Sequence, residues 1–157
     1  MRNSTGQELF VRELTAILEE TFDTHHGIYL DQGTGLFATL DEIRADDASV
    51  PIGGGCATLA AQVEHVIFYL HVLGKVVAGE ETGKLDWGEI WARVGAVTPY
   101  EWDDLRGRLR AAYGDVNRTL GSIQDWEQDD AMGGAMAIAV HTAYHLGEIR
   151  QALCTLR

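Results

Sequence analysis

Cysteine is scarce in this chain: Cys56 and Cys154 are the only two in 157 residues. Two thiols cannot make a disulfide framework, and the chain is expected in a reducing cytoplasm. Cationic side chains are also short. Twelve Lys and Arg stand against 24 Asp and Glu, a formal net charge of −12. Nucleic-acid binding needs cationic surface to displace counterions, so that balance argues against a DNA or RNA partner, and equally against docking on anionic membranes. No run reaches the length of about 18 apolar residues that a membrane span requires. The longest apolar segment, Leu59 to Gly79, is interrupted by Gln62, Glu64, His65, His71 and Lys75. The first residues, Met1 to Glu8, lack an apolar core and read as a helix start rather than a signal peptide. Strand-like alternation is missing throughout, as are repeats and low-complexity tracts. A hydrophobic fraction of 46% is ample for one buried core, so the expectation is a single domain over residues 1–157.

What is present is helix signal. Thr5-Gly-Gln-Glu8 has the spacing of a capping box and opens a segment with Leu9, Phe10, Leu14, Ile17 and Leu18 at helical intervals, predicting a helix to about Thr24. Gly27 to Gly35 carries turn chemistry. A shorter periodic piece follows with Leu36, Phe37, Leu40 and Ile43, and Pro51 with Gly53-Gly54-Gly55 makes a break. Thr58 is the expected N-cap of a second long helix over 59–78. Asp86-Trp-Gly-Glu89 opens a short helix with Trp87, Ile90, Trp91 and Val94. Thr98-Pro99-Tyr-Glu101 combines an N-cap, proline at the first helical position and glutamate at the third. It starts a helix to about Ile123, with Trp102, Leu105, Leu109, Ala112, Val116 and Leu120 inward. Gly133-Gly134 is read as preceding a last helix that runs to the C-terminus. Four long helices predict an all-α four-helix bundle with one long crossover and short accessory helices.

The last helix places His141 and His145 four positions apart in an apolar stretch, on one face of the helix. Two such imidazoles can reach one divalent ion, and burying them without a shared partner is costly. Glu148 follows three residues after His145 on the same face. On the second helix Glu64, His71 and Lys75 form a polar stripe expected to face solvent, while His65 lies about 100° from Glu64, nearer the interior. His65, His141 and His145 would then form a three-imidazole set with coordination positions left open, as in catalytic metal sites. Glu148 is the candidate fourth ligand or base. The plainer readings stand beside these. A lone histidine on an apolar helix is usually a core residue bonded to a neighbour. His25-His26 sits at a helix end, where imidazolium complements the dipole. Cys56 precedes a helix N-terminus, which can lower a thiol pKa, although a small buried residue is the ordinary role. The four tryptophans are expected in core or interface.

At these residues the chain resembles the DinB/YfiT-like family of metal-binding four-helix-bundle proteins. The resemblance rests on the second-helix histidine in Gln62-Val-Glu-His65-Val and on His-x-x-x-His-x-Gly-x-Ile, here His141-Thr-Ala-Tyr-His145-Leu-Gly147-Glu-Ile149. Helix order, motif spacing and length agree over almost the whole chain. The family often has Gln after that glycine; Glu148 is a departure that adds negative charge beside the site. The resemblance implies zinc or nickel held by His65, His141 and His145, a small-molecule substrate and frequent homodimers. It implies thiol transfer with a low-molecular-weight thiol as one activity; hydrolysis by metal-activated water is the other enzymatic reading. A non-catalytic metal-binding or stress-response module is the alternative, and a polar core that has lost its metal is a third.

Overall fold

The computed structural model describes residues 5–156. Residues 1–4, part of the stretch read as lacking a leader, lie outside the described residues, as does residue 157. Among the described residues there are seven α-helices, one 3-10 turn and no strand. The helices are α1 (Gly6–Phe22), α2 (Leu36–Asp41), α3 (Ala45–Ala48), α4 (Leu59–Val77), α5 (Glu89–Arg93), α6 (Pro99–Ser122) and α7 (Ala131–Leu156), with the turn at Ile52–Gly54 before α4. None is long and apolar enough by itself to cross a membrane.

The long helices begin where their first turns find side-chain acceptors. Thr5 and Glu8 form a reciprocal capping box on α1, and Thr98 and Glu101 do the same on α6, with Pro99 in the first turn. These pairs occupy amide donors that a helix N-terminus otherwise leaves unpaired. Thr58 accepts from the Ala61 amide at 3.1 Å and donates to the Gly95 carbonyl at 2.9 Å, so the cap of α4 also anchors the returning segment before α6. In the same segment Asp86 Oδ1 accepts from the amides of Gly88 and Glu89, at 3.0 and 3.1 Å, and starts α5.

α4 packs against both α6 and α7, α1 lies on α7, and α5 leans on α4. Leu14 and Leu18 of α1, Val63, Ile67 and Leu70 of α4, Leu105 and Leu109 of α6, and Ile138, Leu146 and Ile149 of α7 share one continuous core. All six α6 positions expected inward are buried. Phe22 stacks on Tyr113 at 4.1 Å between ring centroids, and Trp102 Nε1 donates to the Ile43 carbonyl at 2.8 Å.

Two features depart from expectation. α7 begins at Ala131 and carries Gly133-Gly134 inside it. The reason is a close approach to α4: a Cβ on Gly134 would lie 2.9 Å from a Val77 methyl. Glu64, expected in the solvent-facing stripe with His71, is buried and paired with Arg108 at 2.9 Å, while His71 and Lys75 are exposed.

After α1 the chain folds back around one carboxylate. Glu20 is 2% exposed and accepts from four loop amides: His26 and Ile28 on Oε2 at 2.9 and 2.8 Å, Tyr29 and Leu30 on Oε1 at 2.6 and 2.7 Å. Burial pushes its pKa up, but the four donors together outweigh burial and bring it down to about 2.

Candidate metal centre

Helical spacing brings the site together from two elements. Gln62, His65 and Tyr69 follow at i, i+3 and i+7 on α4, and His141, Tyr144, His145 and Glu148 lie on the facing side of α7. With α4 packed against α7, these side chains line one cavity of about 460 Å³, together with Cys56, Ala57 and Trp91. His65 and His145 are buried, and His141 is partly covered.

One nitrogen from each of His65, His141 and His145 lies within 4.8 Å of the others. His65 Nε2 and His141 Nε2 are 3.2 Å apart. Two nitrogens each about 2.0–2.1 Å from a tetrahedral zinc would be separated by roughly 3.3 Å. His145 Nδ1 faces two oxygens, Glu148 Oε2 at 2.9 Å and Gln62 Oε1 at 3.4 Å. Two acceptors at one nitrogen place the proton there, so Nδ1–H donates and the lone pair is left on Nε2.

The rings are held from behind. His65 stacks on Trp91 at 4.1 Å with planes 19° apart, and His141 stacks on Tyr69 at 3.6 Å and 15°. Burial lowers the pKa of all three imidazoles. His65 falls to about 4, with burial the larger cause and His145 the next, against a pull upward from Glu148. His141 falls to about 3 through burial and its two histidine neighbours, and His145 is lowered by burial against an upward pull from Glu148. At neutral pH the three rings are therefore uncharged, the form that donates a lone pair to a metal.

The residues fit a divalent ion on a further count. The carboxylate on His145 Nδ1 is the outer support that metal-ligating histidines ordinarily have. The three imidazoles can hold a metal ion. No family model, curated protein or solved structure matches the chain. The donor chemistry therefore carries the functional reading.

The other expected candidates lie elsewhere. His71 is exposed on α4; His25 and His26 are in the loop after α1, where His26 Nε2 meets Glu19 at 2.7 Å. Cys56 is exposed on the cavity rim rather than a small buried residue. Trp102 and Trp126 are core residues, whereas Trp91 is 38% exposed over the site. Trp91, Tyr69 and Gln62 join the site without being marked as site residues by the sequence. Tyr69 and Gln62 were in principle findable, since both share the His65 face of α4; nothing local marks Trp91.

Proposed function

We propose that this chain is a DinB-like four-helix bundle built from α1, α4, α6 and α7, a metal-dependent enzyme that holds zinc or nickel on His65, His141 and His145. The observation that carries this is the convergence of three uncharged imidazoles in a cavity large enough for water or a small substrate. A divalent ion with three protein ligands supplies Lewis acidity and lowers the pKa of a bound water or thiol. That chemistry suits thiol transfer with a low-molecular-weight thiol, or hydrolysis.

The chain's own residues have separate tasks in this reading. Glu148 holds the tautomer and orientation of His145 through Nδ1, a positioning role in place of the fourth-ligand role also open to it. Its carboxylate lies on the cavity wall, so it can also take a proton from a bound nucleophile. Trp91 and Tyr69 fix the other two rings and limit water on their outer faces. Elemental analysis of the purified protein, beside a His141→Ala/His145→Ala variant, tests the reading. Near-stoichiometric metal that is lost in the variant is expected. A protein that takes up neither zinc nor nickel when these are supplied would leave the histidines as core residues and end the enzyme proposal.

The same resemblance carries a homodimer. Met136, Val140 and Tyr144 recur every four residues on α7 and are all exposed, an apolar stripe that pairing would cover.

A further inference from the structure

The metal cavity does not end at the histidines. A second cavity of about 550 Å³ shares Cys56, Gln62, Tyr144 and Glu148 with it, so the two form one continuous trough. It runs along the C-terminal half of α7, where Gly147, Gln151 and Thr155 recur at i, i+4 and i+8, and the turn residue Ile52 lines it too. From His145 to Thr155 the helix advances about 15 Å, so the trough is long as well as wide. Its exposed lining is mostly carbon.

Charge narrows what can lie there. Among the described residues, neither cavity is lined by a lysine or arginine, and Glu148 is the one charged residue on both. Of the described arginines, the two nearest in sequence are engaged elsewhere, Arg93 beside Glu89 at 3.5 Å and Arg150 at Thr39 Oγ1, 3.2 Å away. Beyond the histidines, an anionic arm would meet no counter-charge among the described residues, in a molecule already at −12. Gly147 sits at the centre of the wall, exposed and helical, and a Cβ built there meets nothing within 4 Å. The missing side chain keeps the trough open at that point.

We propose that the trough binds an extended, uncharged apolar arm of the substrate, whose polar head meets the three histidines. This rests on the metal reading above and narrows it to substrates of alkyl- or acyl-chain type whose tail carries no charge.

Hydroxamic acids test it, because one metal-seeking head, neutral in solution and giving up its N–OH proton as it chelates, can carry different tails. Titrate zinc-supplemented protein with acetohydroxamate, octanohydroxamate and the eight-carbon analogue ending in carboxylate, and follow the backbone amides by NMR. Octanohydroxamate is expected to bind at least about ten-fold more tightly than acetohydroxamate, shifting the amides of Gly147, Ala152 and Thr155. The terminal carboxylate should cancel most of that gain, and Gly147→Leu should bring the octano-to-aceto ratio close to one. Equal affinity for short and long tails, or a long tail that leaves those amides unmoved, overturns the trough while the metal site stands. Acetohydroxamate failing to bind while octanohydroxamate still shifts those amides removes the metal and keeps the trough. If neither binds, both fall.

Discussion

At the scale of single residues, Glu20 organises a loop that has no regular structure of its own. Four amides converge on one carboxylate, a task that glutamine cannot repeat, because its NH2 group would face donors rather than accept from them. Glu20→Gln should therefore lower the melting temperature and abolish hydrogen-exchange protection at His26, Ile28, Tyr29 and Leu30; unchanged protection there would refute the bonding. The pH dependence has a definite sign. The folded pKa lies at about 2 against an ordinary 4.5, so the stabilisation is complete above pH 4.5 and drains away as pH falls toward 2. The melting difference between wild type and Glu20→Gln should shrink over that interval. None of this was legible in the sequence, since backbone amides carry no side-chain signature and an acidic residue near a helix C-terminus reads as surface. The histidines were legible for the opposite reason: i, i+4 spacing and the angular offset of His65 from the polar face are properties of a single helix. Trp91 was not, because its place over His65 depends on the path of the whole 79–98 segment.

At the scale of elements, the glycines of α7 make two opposite predictions. Gly134 lies against Val77, a β-branched side chain with little rotamer freedom in a helix. Gly134→Ala gains about 1 kcal/mol of helix propensity but incurs overpacking of about 1–3 kcal/mol, so equal or lower stability is expected. Gly147→Ala meets open space and should gain about 0.5–1 kcal/mol. Denaturant titrations of the two variants check the contrast, and a clear gain at Gly134 would show that the α4–α7 contact has room. The same position explains why one helix boundary misread. Adjacent glycines look like a break, and only the neighbouring helix reveals that a missing Cβ is what lets α7 come close. Where the start signal was a side-chain cap, at Thr5, Thr58 and Thr98, the sequence and the structure coincide, because caps are local. The buried Glu64 follows the rule for Gly134 rather than for the caps: its partner Arg108 is 44 positions away on α6.

At the scale of the molecule, one core joins the four long helices, and an outer apolar stripe on α7 stands apart from it. If that stripe pairs two chains, Val140→Glu should halve the mass seen by light scattering, to one 17.2 kDa chain, without changing the helical circular-dichroism signal. A wild-type protein already at that mass removes the dimer. The all-helical character could be read from composition and periodicity alone; the meeting of α4 and α7 that creates the metal centre could not, since it depends on how distant segments pack. That meeting has a mechanical side. His65 and His141 stand 76 positions apart, and an ion gripping both would tie the intervening chain into a closed ring. On the entropy scale used for covalent cross-links, a ring of that size is worth roughly 4 kcal/mol. A protein with no disulfide among its described residues would thus possess a removable staple, and the free concentration of one metal in its surroundings would set how firmly the polymer is shut.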